Sequence, residues 1–168
     1  TAEGGVDCDI QPDDPYAAVY QADAELAAVL GCPADDVDLY TVVYQPFETG
    51  MMFWRQADQR IWALTTAQLD QGFDAWWRFQ DEYDGGDQPV EDPPEGLLQP
   101  IRGFGEVWNT NGFIREALGW ATGPEQQATV PWQDFDDGWM MAAPDGTIFV
   151  MIPDEEDPTT GRHSGPLP

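Results

Sequence analysis

At 168 residues the chain is long enough to bury a core, as one domain or two small ones. Its 32 Asp and Glu face six Arg and no Lys, for a net charge of −26. That balance argues against the basic stripe nucleic acids require and against docking on anionic membrane. Eight Trp, eight Phe and five Tyr argue against an acidic disordered chain, and no apolar run approaches the roughly 20 residues of a membrane helix.

Residues 1–15 read as an acidic arm in which Asp7, Asp9, Asp13 and Asp14 cluster. The two cysteines are Cys8 and Cys32. A bridge between them, closing a loop of about 25 residues, would stabilise by about 3 kcal/mol and would suit an exported protein. Two unpaired thiols are the alternative. A start at Thr1 instead of Met, with no signal-peptide core, is what a processed exported chain would show.

A helix is expected over 16–30, with Asp13 or Asp14 as N-cap and Pro15 at its first position. Gly31 would end it as a left-handed cap, and Pro33 bars continuation. Strands are expected over 40–47, 51–55, 60–65 and 75–80, around turns at 48–50 and 56–59. Residues 81–103 read as an acidic Pro- and Gly-rich linker, in which Leu97 and Leu98 could pack back. Two short helical turns should follow, split at 109–112 and closed by Gly119. Strands over 129–135, 139–143 and 147–152 come next, with Asp136-Asp137-Gly138 and Pro144-Asp145-Gly146 as turns. Residues 153–168 read as a loose tail.

Much of this order occurs twice. A shift of 88 residues superimposes 16–52 on 104–140 with nine identities over 37 positions, where composition alone would give about two or three. Leu30-Gly31 falls on Leu118-Gly119, and Gln45-x-Phe47-x-x-Gly50-x-Met52 falls on Gln133-x-Phe135-x-x-Gly138-x-Met140. Gly50 and Gly138 are expected to supply positive φ in tight turns. The expected fold class is α+β: two pseudo-repeats, 16–80 and 104–152, each a short helix plus a small antiparallel sheet, packed together.

Leu30-Gly31-Cys32-Pro33 followed by Gln45-Pro46-Phe47-Glu48-Thr49-Gly50-Met51-Met52-Phe53-Trp54 resembles the LGFP repeat of bacterial envelope proteins. The stretch 105–119, ending in Leu118-Gly119-Trp120-Ala121, resembles it as well, though Ala121 stands where the corner proline belongs. Gly103-Phe104-Gly105-Glu106-Val107-Trp108 is also similar to uncharacterised exported modules. The resemblance implies a non-catalytic extracellular module that holds cell-wall polysaccharide.

Trp54, Trp62, Trp76 and Trp77 crowd the first repeat. Neighbours on a strand face opposite ways, so Trp76 and Trp77 cannot both be core in a one-layer sheet. An exposed indole could stack on a sugar ring, form a self-assembly contact, or be covered by the 81–100 loop. Enzyme chemistry has little support. His163, the single His, lies in the tail, and no P-loop, HExxH or dinucleotide motif occurs. Glu48 is the least poor candidate for a glycosidase carboxylate, and its hairpin corner favours a surface turn. Asp134, Asp136 and Asp137 form a second acidic cluster. With Asp7, Asp9, Asp13 and Asp14 they offer oxygen ligands that would suit Ca2+, although no EF-hand spacing occurs; otherwise no cofactor is expected. A solvated acidic face in a salty medium is the alternative. The resulting expectation is a secreted or cell-surface protein that binds polysaccharide through aromatic and acidic surface without catalysis. The alternatives are a subunit that self-assembles through its tails and a glycan-active enzyme.

Overall fold

The computed structural model describes residues 8–66 and 74–167, the side chains of 165–167 excepted. The 16–30 segment forms two helices, α1 (Ala17–Ala22) and α2 (Ala24–Leu30). Asp23 breaks them apart. Its backbone is extended (φ −132°, ψ 97°), and its carboxylate accepts from the N–H groups of Glu25 and Leu26, capping α2. Four strands follow: β1 (Asp38–Phe47), β2 (Gly50–Arg55), β3 (Arg60–Thr65) and β4 (Asp74–Gln80). Then come α3 (Arg102–Thr110) and α4 (Gly112–Leu118), separated by extended Asn111, which lies 88 residues after Asp23. The chain continues through β5 (Gln126–Phe135), β6 (Gly138–Ala142), β7 (Ile148–Pro153) and β8 (Thr160–Leu167).

The expected α+β arrangement of two pseudo-repeats, each a short helix plus a small antiparallel sheet, packed together, does not occur. The eight strands close as an antiparallel barrel in the order β1-β2-β3-β4-β8-β7-β6-β5. Two features of the chain explain the difference. Residues 160–167, read as a loose tail, pair with β7 as a fourth strand of the second set. Ile61 to Thr65 of β3 and Ile148 to Ile152 of β7 are buried without alternation, and a strand hidden on both faces needs a layer on each side.

The chain divides into two compact units, one drawn from Thr1–Tyr40 and Thr129–Pro168, the other Thr41–Ala128. Each helix pair thus packs with the strands of the other repeat. In the Thr41–Ala128 unit, Met52 faces Ala63, and Ala63 faces Trp77 across the register. This face meets Trp108, Ile114 and Leu118 of α3 and α4. The opposite face carries Phe53, Trp62, Leu64 and Trp76, all at or near zero exposure, with Phe53 stacked on Trp62 at 5.0 Å.

A joint built alike in both units fixes each helix pair to its hairpin. In the Thr41–Ala128 unit the Trp120 N–H donates to Glu48 Oε1 (3.0 Å), and the Glu48 N–H donates to Trp120 O (3.0 Å). Gln45 Nε2 donates to Gly123 O (3.0 Å), and Trp108 Nε1 to Gly119 O (2.8 Å). In the other unit the Cys32 N–H donates to Asp136 Oδ2 (3.0 Å), and the Asp136 N–H donates to Cys32 O (2.9 Å). Gln133 Nε2 donates to Asp35 O (3.0 Å), and the Tyr20 hydroxyl to Gly31 O (2.8 Å). Every partner in one joint lies 88 residues from its counterpart in the other. The correspondence is therefore one of contacts, made crosswise between the two stretches that match.

Gly31 (φ 76°, ψ −154°) and Gly119 (φ 74°, ψ −149°) occupy a positive-φ, extended region essentially closed to other residues. Gly50 and Gly138 are not at positive φ, contrary to expectation. They are glycine for space. A Cβ on Gly50 would collide with Leu64 O and Leu118 Cδ2, and one on Gly138 with Met151 O and Leu30 Cδ2.

Candidate functional site

A cleft of about 270 Å³ opens in the Thr41–Ala128 unit, just below the roughly 300–1,000 Å³ usual for small-molecule sites. Its apolar lining is Val43, Trp54, Ile61 and Phe104. The register explains the grouping. Trp54 lies opposite Ile61 on β3, and Val43 lies opposite Trp54 on β1, so all three share the helix-facing side of the sheet. Phe104 reaches it from α3. Trp54 keeps part of its surface open, and its indole N–H is buried with no acceptor among the described residues.

Asp81, Tyr83, Arg102 and Glu125 supply the polar groups. Asp81 follows β4 directly, and its N–H donates to Gln59 O (2.9 Å). Its Oδ1 accepts from the Tyr83 N–H (3.1 Å), while Oδ2 has no partner among the described residues. Arg102 begins α3 at φ 56°, a left-handed conformation unusual outside glycine. Gln88 holds it there from both sides: Oε1 accepts from the Arg102 N–H and Nε2 donates to the Arg102 carbonyl, each at 2.7 Å. The Arg102 guanidinium, 62 % exposed, lies 3.2 Å from Glu125 Oε2. Glu125 Oε1 is left without a partner among the described residues. Between them, a Cβ on Gly103 would stand 2.9 Å from Asp81 Oδ1 and 3.1 Å from Ile61 Cδ1, so glycine leaves the wall open.

The linker that forms part of this wall is pinned down. Arg115 pairs with Glu91 through both carboxylate oxygens (2.8 and 2.7 Å), and its guanidinium lies 4.0 Å over the Trp108 ring. Gln99 accepts from the Glu91 N–H and donates to Pro89 O.

Of the four tryptophans singled out in the sequence, Trp54 alone lines this cleft. Trp62 and Trp76 are buried on the opposite face of the sheet. Trp77 is partly exposed, edge-on to Phe113 at 5.5 Å. The alternation that separates Trp76 from Trp77 was legible in the sequence. Asp81, Tyr83 and Arg102 do not stand out there, because 81–103 reads as a spacer, and neither does Glu125, which falls between the helical turns and the strand expected from 129. A rare arginine next to glycine, at the end of the 81–103 linker, is the available signal.

The acidic clusters serve other contacts. Asp136 accepts from the Cys32 N–H, and Asp134 Oδ1 accepts from Trp132 Nε1 (3.3 Å). The Asp137 N–H donates to Leu30 O, and Asp13 O accepts from Tyr16 and Ala17. Asp9 and Asp14 are exposed; Asp7 lies outside the described residues. Among the described residues, no three His, Cys, Asp or Glu side chains gather as a metal ion would need. The Asp136 and Asp137 carboxylates also border a wider cleft of about 990 Å³, with Asp154, Glu155 and Glu156. Its aromatic residues, Phe135 and Trp139, are buried. Glu48 is held at its corner as the acceptor for Trp120. Cys8 and Cys32 are bonded, with Cα atoms 5.5 Å apart, which is compatible with an exported protein.

No protein-family model, curated protein or solved structure matches the chain.

Proposed function

We propose that the protein is an exported, non-catalytic carbohydrate-binding protein of the cell envelope or matrix, and that a sugar ring sits on Trp54 in the cleft beside β4. The observation that carries this reading is a partly open indole lining a cleft that also holds carboxylate oxygens without partners among the described residues. The apolar face of a pyranose stacks on an indole, and carboxylates accept from its hydroxyls. The held conformation of Arg102 supports it, since backbone kept in a sparsely populated region tends to lie at working sites. The disulfide suits export, and the LGFP-like stretches point the same way.

The test is binding to a glycan array and to insoluble cell-wall polysaccharide, with Trp54→Ala and Trp77→Ala beside the parent chain. Trp54→Ala should weaken binding roughly tenfold, and Trp77→Ala should leave it unchanged. A parent chain that binds no glycan would overturn the reading, as would release of reducing sugar that stops in Glu48→Gln.

A further inference from the structure

The charges around the Trp54 cleft narrow the class of sugar. Asp81 and Glu125 are carboxylates and Arg102 is the one cation lining it among the described residues, so the site carries a formal charge of −2 + 1 = −1. That single cation is already answered by Glu125 at 3.2 Å and turns most of its surface to solvent. A uronic acid would therefore meet two carboxylates and a guanidinium that is already paired, in the field of a protein of charge −26. A neutral sugar would use the indole face and leave the negative charge uncompensated.

An ammonium group fits what is present. It has three donors and no acceptor. Asp81 Oδ2 and Glu125 Oε1 are acceptors with no partner among the described residues, and the face of Trp54 attracts a cation. Asp81 is also held in place, its Oδ1 fixed by the Tyr83 N–H and its main chain by Gln59. Gly103 keeps the approach to it free of a side chain.

We infer that the cleft selects amino sugars bearing a free ammonium group over their N-acetylated and acidic counterparts. This rests on the cleft being a glycan site, as proposed above. The selected ligand is a glucosamine-type unit, with its ring on Trp54 and its ammonium donating to Asp81 and Glu125. Long-range attraction between a polycation and an acidic protein is a separate effect. It fades in salt, whereas pairing inside a partly buried cleft is screened much less.

Calorimetric titration with short oligomers of glucosamine, N-acetylglucosamine and galacturonic acid tests the inference, in NaCl of about 0.5 M, where the screening length is a few ångström. The glucosamine oligomer should bind roughly tenfold tighter than the acetylated one, and the galacturonate should bind weakest. Asp81→Asn keeps the acceptor for Tyr83 but removes the charge. It should bring the glucosamine affinity down to that of the acetylated oligomer and leave the latter unmoved. Glu125→Gln provides an independent second variant should Asp81→Asn fail to fold, as judged by its melting curve. Equal or tighter binding of the acetylated oligomer, lost in Trp54→Ala, would overturn the ammonium preference and keep the glycan site. A preference that survives both charge-removing variants would overturn the assignment of Asp81 and Glu125. If none of the three oligomers binds while the parent chain binds another glycan through Trp54, the ammonium preference falls and the glycan site stands.

Discussion

At the scale of single residues, glycine does two kinds of work here, and only one is legible in the sequence. Gly31 and Gly119 end their helices at positive φ, as a glycine before a proline or at a helix end suggests. Gly50 and Gly138 also looked like turn glycines, because each stands three residues after a phenylalanine. Their real constraint comes from atoms far away in the chain, a strand carbonyl and a helix leucine, and one-dimensional spacing cannot reveal it. Gly50→Ala should therefore cost about 1–3 kcal/mol, through displaced backbone and not through φ. Gly112→Ala provides the contrast. It opens α4, is not at positive φ, and has nothing within 4 Å of its added Cβ, so it should be neutral or stabilising by up to about 1 kcal/mol. Urea unfolding of both variants measures the difference. Equal losses would mean that the Leu64 and Leu118 contact does not constrain Gly50.

At the scale of elements, strand positions are legible because short apolar runs are bracketed by Gly- or Asp-containing turns. β2 and β3 begin and end within a residue of expectation. The single helix expected over 16–30 is instead two. Its apolar stripe runs across Asp23, and a capping carboxylate in mid-segment outweighs the stripe. The β2–β3 turn carries a charge pair that the pattern also concealed. Arg55 Nε donates to Asp58 Oδ1 (3.0 Å), Arg55 stacks on Trp62 (5.0 Å), and Arg60 lies 3.5 Å from the same carboxylate. Burial pushes the Asp58 carboxyl up, but the Arg55 hydrogen bond and the two guanidinium charges outweigh it and hold the group below the usual carboxylate range. A carboxyl that ionises more readily folded than unfolded adds stability at neutral pH. That stability is fully present above a pH of about 4 and is lost as pH falls through the lowered value. Asp58→Asn should thus be less stable than the parent by about 1 kcal/mol at neutral pH, at this partly solvated position. The gap should narrow as pH falls below about 4. A gap that stays constant down to pH 2.5 would show that packing, not charge, accounts for the loss.

At the scale of the whole molecule, the 88-residue correspondence was legible and its connectivity was not. Matching residues show that two stretches make equivalent contacts. They do not show which helix meets which hairpin, because Gly31 could dock at Glu48 or at Asp136 with the same chemistry. The structure pairs Gly31 and Cys32 with Asp136, and Gly119 and Trp120 with Glu48. Each compact unit thus needs chain from both sides of the 81–103 segment. A break at Gly85-Gly86 tests this directly. Both residues are exposed, and a Cβ on Gly85 would meet nothing within 4 Å. One piece would then carry α1, α2 and β1–β4, and the other α3, α4 and β5–β8. If each repeat packed on itself, either piece alone would fold. With crosswise contacts, each piece has strands without their helices, so the large apolar face that Met52, Ala63 and Phe47 present to Trp108 and Leu118 would lie open. A chain cut at this point by an inserted protease site should keep the near-ultraviolet signature of its packed tryptophans, and its halves should co-elute. The halves expressed singly should lack that signature and regain it on mixing. A first half that folds alone would overturn the crosswise assignment, since its helices would then have found their own hairpin.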